Sequence, residues 1–299
     1  MTTILLAIPK KKHRGFSLIE LMISLAIGLV LMVFVTSLFF SSHFSARLND
    51  DNARIQEDGY IAMNMIGRNL MQAGYGNMRT TTATDFSGIG FKACQRGFKL
   101  PLTDDFQCNT TAKQPEFIVS YMVNTEIGRW NSSNYWDQTS ADCNGALPGY
   151  TDLPEPTSVA VINRYFTKTV HGETSLFCEG NGKIVNAQEP AQSMLSNVDK
   201  MILTYGVDTK GVYSPSTFFS NADDVEALPI SGSNKTNWDQ VISVKVCIAL
   251  HSDNEVTSTP QSYRDCDNTT RIAPNKKLHT TLTRTFALRN HVQPTLLDQ

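Results

Sequence analysis

The residue with the clearest chemical potential is Glu20, which is the sole ionisable side chain between Phe16 and Phe40. A carboxylate inside a long apolar run is costly in hydrocarbon, so its presence indicates a function by default. Two interpretations remain open at this level. Either the carboxylate reaches back to the membrane interface near the start of a helix, or it serves a specific partner.

The cysteines are the second group of residues with chemical potential. All six follow the apolar run: Cys94, Cys108, Cys143, Cys178, Cys247 and Cys266. An even number of cysteines downstream of an export signal favours disulfides in an oxidising compartment, with buried free thiols as the alternative. Short separation favours the pairs Cys94–Cys108 and Cys247–Cys266. A metal site is disfavoured, since there is no CxxC and no histidine at ligand spacing from a cysteine pair.

Motifs for catalysis or nucleotide binding are absent from the sequence. The glycine pairs at 74–76 and 88–90 lack the third glycine and the Lys-Ser/Thr of phosphate loops, and they are read as turns. There is no G-x-S-x-G and no H-E-x-x-H. Four candidate histidines are scattered without a partner motif: His171, His251, His279 and His291. We therefore expect no enzyme activity, no cofactor and no metal.

Two further clusters have a structural and a functional interpretation. The acidic residues Asp223, Asp224 and Glu226 offer oxygen ligands for calcium, but no EF-hand spacing supports them, and a solvated loop is favoured. The aromatic residues Trp130, Tyr135 and Trp136 are expected either to pack in a core or to contact a partner subunit. The formal net charge of −2 gives no basic balance that would indicate nucleic acid.

The apolar run at 16–40 positions Glu20. A helix of this length spans roughly 37 Å, enough to cross a bilayer core of about 30 Å. The run is longer than the apolar part of an ordinary signal peptide, and the best late cleavage candidate, at 35–37, lies inside it. Basic residues before the run stay cytoplasmic, which predicts an exported C-terminal part. Loss of residues 1–15 would change the formal net charge from −2 to −6.

The helix is predicted to continue beyond the membrane, because no proline occurs between Phe16 and Asn77. Apolar and small residues recur at spacings of three and four over 55–73, and the segment 74–76 is typical of a C-cap and turn. The stripe suits either a coiled-coil stalk or, more simply, packing against the chain's own sheet.

Short β-rich runs follow this helix. Strands are predicted at 116–123, 158–166, 175–178, 200–207, 241–250 and 279–288, with a short helical turn at 192–197. Alternation in the last two strands fits antiparallel pairing with one face on the helix. The stretch 77–157 is interpreted as an elaborated loop region with two strands. The predicted fold class is therefore α+β, with a long N-terminal helix on an antiparallel sheet.

Residues 11–21, KKHRGFSLIEL, resemble the class III signal of type IV pilins and pseudopilins. The resemblance implies that a prepilin peptidase cleaves between Gly15 and Phe16 and that Phe16 is then N-methylated. It also implies that Glu20 is the assembly glutamate, which would meet the new amine of a neighbouring subunit in the growing pilus. Such pairing would offset part of the cost of burying the carboxylate.

Most of the rest of the chain resembles the PilW family of minor pilins, but the segment around Cys94 and Cys108 does not. The similar segments are the helix end at 54–75, DCNG at 142–145, LFC at 176–178, NV at 197–198, YGVD at 205–208, WDQV at 238–241, VKV at 244–246 and FALRN at 286–290. The resemblance implies a disulfide between Cys143 and Cys178. The implied domains are a leader at 1–15, a membrane-spanning half-helix at 16–40, a periplasmic half-helix at 41–76 and a β-rich pilin-like domain at 77–299.

Membership of that family implies a minor pilin that primes pilus assembly in a tip complex and supports adhesion and twitching motility. Expected partners are other minor pilins, the major pilin, the prepilin peptidase and the inner membrane, with a large tip adhesin as one further candidate. The alternatives are a GspJ-like pseudopilin of type II secretion and a single-pass anchored exported enzyme or ligand-binding protein. The latter predicts an uncleaved N-terminus.

Overall fold

The computed structural model describes residues 15–76, 89–100, 106–111, 114–124, 141–146, 158–184, 187–188, 191–230 and 236–291. The leader residues 1–14 and the aromatic cluster Trp130, Tyr135 and Trp136 lie outside the described residues. The chain divides into two compact units, Met1–Asp50 and Asp51–Gln299. The first unit holds the apolar part of the long helix, and the second holds the end of that helix together with the strands.

The long helix α1 spans Leu18–Gln72. It is uninterrupted because this stretch contains no proline. The helix ends where the sequence predicts, since Gly74 adopts a φ of 74°, the left-handed conformation of a helix C-cap. Within the second unit, one stripe of α1 is buried: Ile55, Gly59, Ala62, Met63, Ile66, Gly67 and Leu70. The helical periodicity at 55–73 is thereby confirmed, and it reflects packing against the sheets.

The strands of the described residues differ widely in length, from two residues to fifteen. They are β1 Phe91–Cys94, β2 Glu116–Asn124, β3 Ser158–Val170, β4 Glu173–Gly180, β5 Lys183–Ile184, β6 Ala187–Gln188, β7 Gln192–Leu195, β8 Val198–Val207, β9 Thr217–Phe219, β10 Val241–Glu255, β11 Ser262–Arg264, β12 Thr270–Ile272 and β13 Lys277–Ala287. A short helix α2 spans Ala222–Glu226, and 3-10 turns lie at Asn237–Gln240 and Arg289–His291.

These strands form two main antiparallel sheets. The first has the order β1-β2-β3-β4-β7 and the second β13-β10-β8-β9. Two small hairpins, β11-β12 and β5-β6, complete the set. Strand β10 is central to the second sheet, where Val246 lies opposite Arg284 of β13 and Leu203 of β8. The six predicted strands are confirmed, each within a few residues of its predicted bounds, as is the α+β class.

One continuous core lies between α1 and the inner faces of both sheets. Its largest fully buried side chains include Trp238, Tyr165, Tyr205, Phe91 and Phe117. The rings of Phe117 and Tyr165 stack with centroids 4.8 Å apart. Burying such rings removes about 150–250 Å² of surface each from water, so these five side chains supply a large share of the apolar burial.

A second, smaller core covers the outer face of the first sheet and consists of Ile89, Cys94, Phe98, Phe106 and Ile118. It belongs to the stretch 77–157, which the sequence assigns to loops with two strands. Strands β1 and β2 are those two among the described residues.

Two local predictions are wrong. The segment 192–197, predicted as a helical turn, contains strand β7, because Leu195 pairs with Leu176 of β4 and enters the core. The acidic residues Asp223, Asp224 and Glu226, predicted as a solvated loop, lie on helix α2. That helix forms because the Asn221 side chain accepts the backbone N–H of Asp223 and because Ala222 and Val225 are buried.

Candidate functional site

Helix α1 begins with a reciprocal pair of hydrogen bonds between Ser17 and Glu20. The backbone N–H of Ser17 donates to Glu20 Oε2, and the backbone N–H of Glu20 donates to Ser17 Oγ, both at 3.3 Å. This arrangement is a capping box, which satisfies two otherwise unpaired N–H groups of the first turn. The Ser17-x-x-Glu20 spacing encodes it, although only Glu20 of this pair is predicted from sequence to be functional.

The peptide bond between Gly15 and Phe16 lies immediately before this cap. The side chain of Phe16 is 85% exposed. A Cβ atom added to Gly15 would meet nothing within 4 Å. The described part of the chain therefore imposes no requirement for glycine at this position.

Within the described residues, the first unit presents an exposed apolar helical surface. The large side chains from Leu18 to Phe40 are exposed. Its hydroxyl groups are satisfied internally, since Ser24, Thr36 and Ser37 donate to helix carbonyls three or four residues earlier. Among the described residues, α1 is the one helix whose length and composition suffice to cross a membrane. This surface suits lipid or the apolar helices of partner subunits.

Three disulfides join the six cysteines: Cys94–Cys108, Cys143–Cys178 and Cys247–Cys266. These are the pairs that the sequence predicts. Each closes a short loop, with separations of 14, 35 and 19 residues. The first fastens the small outer core, the second ties the 141–146 loop to β4, and the third ties β10 to the turn between β11 and β12.

The 141–146 loop is held by its own buried carboxylate. Asp142 is 6% exposed and accepts the backbone N–H groups of Asn144 and Ala146 at 2.9 Å and of Gly182 at 2.8 Å. A Cβ atom on Gly182 would collide with Asp142 and Ala146. The Asp-Cys-Asn-Gly segment is therefore a folded clamp rather than a mobile loop.

A chain of amide hydrogen bonds connects this clamp to α1. The backbone N–H of Cys143 donates to Asn163 Oδ1 at 2.8 Å, and Asn163 Nδ2 donates to Asn69 Oδ1 at 3.1 Å. Asn69 Nδ2 in turn donates to the hydroxyl of Tyr165 at 2.5 Å. Buried polar groups that are satisfied in this way specify one packing arrangement, so the network fixes the register of α1 on the first sheet.

The candidate histidines do not form a single site. The Nδ1 atoms of His251 and His279 lie 2.8 and 2.9 Å from the two carboxylate oxygens of Asp199. Burial alone would raise the pKa of Asp199, but hydrogen bonds and charge interactions with both imidazoles outweigh it and lower the pKa to about 2. His171 lies in the β3–β4 turn, and His291 pairs with the carbonyl of Val241. The Asp199 group thus ties together β8, β10 and β13.

Two of the three acidic side chains of α2, those of Asp223 and Glu226, have partners within the fold, whereas Asp224 is exposed. Arg96 Nη2 lies 2.7 Å from Asp223 Oδ2, and Lys92 Nζ lies 3.4 Å from Glu226 Oε1. The indole N–H of Trp238 also donates to Glu226. Throughout the described part of the chain, no three histidine, cysteine or acidic side chains are arranged to hold a metal ion.

Comparisons with known proteins bear on both units. The model of the prokaryotic N-terminal methylation motif matches residues 10–36. The model of type IV pilus-assembly protein W, PilW, matches residues 164–290, which run from within β3 into the 3-10 turn at Arg289–His291. No curated protein sequence matches.

One solved structure similar to this chain is a type IV-like pilin from Thermus thermophilus. It has a TM-score of 0.42 and 11% identity, and the match covers 80% of this chain and 99% of that one. The α+β assignment rests on the helix and sheets of this chain itself.

Proposed function

We propose that this chain, a type IV pilin-like protein of the PilW family, acts as a minor pilin that promotes pilus assembly. The observation that carries the proposal is the amino-terminal segment. It combines an exposed Gly15–Phe16 bond, a capped helix start with Glu20 in its first turn, and an apolar helical surface that needs lipid or partner helices. The family is structural rather than enzymatic.

Processing is the first step of the proposal. A prepilin peptidase removes residues 1–15, and the amine of Phe16 is then methylated. The methylation motif match at 10–36 supports this step, because it covers the cleavage site and the start of α1. Cleavage leaves a positively charged amine one residue before Ser17, at the positive end of the helix dipole. The two positive charges together favour a carboxylate nearby.

Before assembly, the chain spans the inner membrane once with its body in the periplasm. The uncovered apolar surface of the first unit supports the membrane part, and the lysine-rich leader supports the orientation. Three disulfides in the body suit the oxidising periplasm. After assembly, the same helical surface packs against other pilin helices in the fibre.

Its partners in this role are other minor pilins and the major pilin, in a complex at the tip that primes growth and supports adhesion and twitching motility. Within a fibre core, the Glu20 carboxylate pairs with the amine of a neighbouring subunit. That pairing offsets the hydration that the Glu20 carboxylate loses on burial. Because only a subunit whose amine lies beside Glu20 supplies this offset, the pairing selects correctly placed subunits.

The experiment that tests the function uses piliated cells in which the native copy of this chain is replaced by a tagged full-length copy. Mass spectrometry of the mature N-terminus and of sheared pili is expected to find a chain that begins at methylated Phe16 and is present in the pili. Gly15→Val, which adds bulk at the scissile residue without touching the described fold, is expected to leave the leader attached. A processed chain that is absent from pili and whose deletion impairs only protein secretion would contradict the proposal.

A further inference from the structure

The C-terminal end of the apolar run carries rings and basic side chains. Together they form an interfacial segment of α1: Phe39, Phe40, His43, Phe44 and Arg47. All five side chains are exposed. Phe39, His43 and Arg47 lie four residues apart and therefore line one face of the helix. The ring of His43 packs edge-on against that of Phe39, with centroids 4.3 Å apart, so apolar and basic groups adjoin on this face.

The side chains along this part of α1 follow the order of the layers at a bilayer surface. Apolar side chains and internally bonded hydroxyls, such as that of Thr36, continue up to the phenylalanines. Basic side chains come next, and the first acidic side chain after Glu20 is Asp50. Phenylalanine rings belong in hydrocarbon, whereas an arginine near the end of a spanning helix reaches the headgroups. Among the described residues the Arg47 side chain has no ion-pair partner, so its charge is available to phosphates.

Distance decides where the two charged ends of the apolar run lie. Arg47 follows Glu20 by 27 residues, which is a rise of about 40 Å in a helix. A bilayer is about 30 Å thick in its hydrocarbon core and about 40–45 Å thick including its headgroups. Both side chains can therefore lie in headgroup layers at once, one in each leaflet, with no charge in hydrocarbon.

The tilt of helical side chains improves the fit at both ends. Each Cα–Cβ bond leans toward the N-terminus of the helix, which is cytoplasmic in the proposed orientation. The Arg47 side chain therefore leans back toward the bilayer, and that of Glu20 leans away from hydrocarbon toward the cytoplasm. The hydrogen bond from the Ser17 N–H to Glu20 Oε2 follows this direction.

We propose that Arg47, with His43 beside it, binds the phosphate groups of outer-leaflet phospholipids and so fixes the depth of α1 in the inner membrane. The inference rests on the proposed function, whose membrane span it extends by naming the anchor and the lipid group. The apolar run alone does not fix the depth, because its length of roughly 37 Å exceeds a core of about 30 Å. With the anchor in place, Glu20 lies in the inner headgroup layer and the Gly15–Phe16 bond lies on the cytoplasmic side of it. The carboxylate thus stays hydrated until the subunit enters the fibre.

The test uses the full-length chain reconstituted into vesicles of phosphatidylethanolamine and phosphatidylglycerol. A nitroxide label is attached to a cysteine that replaces either Ser37 or Ser45, both of which are exposed. Collision of the label with oxygen and with a water-soluble nickel chelate measures its depth. The label at 37 is expected in the hydrocarbon and the label at 45 in the headgroup layer. A label at 45 that lies in hydrocarbon or in bulk water would overturn the proposal.

Variants of Arg47 separate its charge from general hydrophobicity. Arg47→Leu is expected to let the helix sink, so that the label at 45 moves toward the bilayer centre by about 3 Å or more, the rise of two residues. Arg47→Lys keeps a cation that binds phosphate and is expected to keep the depth. Arg68→Leu, at an exposed arginine of α1 in the second unit, is the matched control and is expected to leave the depth unchanged. An unchanged depth in Arg47→Leu would overturn the anchor.

A second lipid identifies phosphate as the group that is bound. In vesicles of neutral galactolipid, which contain no phosphate, the parent chain is expected to show the depth of Arg47→Leu. The same depth of the parent chain in both lipids would overturn the assignment to phosphate. The label at 37 separates this inference from the proposed function. If that label remains in water, the membrane span itself is contradicted, whereas a label at 37 in hydrocarbon leaves the span intact whatever the result at 45.

Discussion

The ring of Phe286 lies over Gly67, in the space that a Cβ atom at position 67 would occupy. Gly59 has the same relationship with Leu282, two turns earlier in α1 and four residues earlier in β13. The two glycines let α1 approach the end of the second sheet closely, and the side chains of β13 fill the grooves that they leave. Close packing of this kind holds the helix end to the body.

Gly67→Ala is therefore expected to destabilise the body, although alanine is the better helix former. The new methyl group would force the Phe286 ring out of its place, and overpacking of this kind typically costs about 1–3 kcal/mol. Thermal unfolding of the body measures the effect. Gly67→Ala combined with Phe286→Leu removes the collision, and it should recover part of the loss. An unchanged midpoint for Gly67→Ala alone would show that the ring moves freely.

The helix and the long strands could be predicted from sequence because their signals are local and repeated. The stripe at 55–73 and the alternation in β10 and β13 each persist for many residues. Strand β7 could not be predicted, because four residues carry little periodicity and their conformation is set by pairing with β4. Gly59 and Gly67 belong to the predicted stripe, but only the distant β13 explains why those positions are glycine.

The disulfide pairs give a graded prediction. In the loop-entropy model, closing 35 residues stabilises a fold by about 4 kcal/mol and closing 14 residues by about 3 kcal/mol. Replacing Cys143 and Cys178 by alanine should therefore lower the free energy of unfolding more than replacing Cys94 and Cys108. Loss of the clamp that positions Asn163 adds to the first effect. Chemical denaturation of the two double variants measures the difference.

Peptide mapping under non-reducing conditions is the direct check on the pairs. Linked peptides that contain Cys94 with Cys108, Cys143 with Cys178 and Cys247 with Cys266 are expected. A crossed pair, such as Cys94 with Cys143, would contradict both the arrangement of the sheets and the argument from sequence separation.

Acid should weaken the body through Asp199. The pKa of this carboxyl is about 2 in the folded chain and 3.8 in its unperturbed form, so the folded state favours the ionised carboxylate. Its stabilising contribution is present above about pH 4 and is lost as the pH falls through 2. Allowing for solvent screening at this partly exposed group, we expect about 1–2 kcal/mol.

Asp199→Asn removes that titration while keeping a polar side chain between His251 and His279. The free energy of unfolding of the variant should be lower than that of the parent at pH 6, and the two curves should converge as the pH falls below 3. Parallel curves across the acid range would show that Asp199 does not contribute to the pH dependence.

The amino-terminal site could be predicted from sequence in part. Glu20 stands out because one charge interrupts a long apolar run. Ser17 does not, because a serine before a helix is common, and its pairing with Glu20 becomes evident only when the helix start is placed at Leu18.

Glu20 consequently has two possible roles, helix capping and charge pairing, and Glu20→Gln distinguishes them. Glutamine can accept the N–H of Ser17 as glutamate does, so the capping box survives while the charge is lost. If charge pairing with a neighbour's amine drives assembly, Glu20→Gln should incorporate into pili as poorly as Glu20→Ala. Breaking one side of a buried ion pair costs about 3–5 kcal/mol, whereas loss of a cap costs about 1 kcal/mol.

Ser17→Ala supplies the matched control, because it removes the capping hydroxyl and leaves the carboxylate in place. We expect this variant to be processed and to enter pili nearly as well as the parent chain. Both Glu20 variants should accumulate in the inner membrane at normal levels, since removing a carboxylate from an apolar segment makes insertion easier. Quantifying each chain in membranes and in sheared pili decides between the roles. Normal incorporation of Glu20→Gln together with failure of Ser17→Ala would assign Glu20 to the helix cap and remove it from the assembly contact.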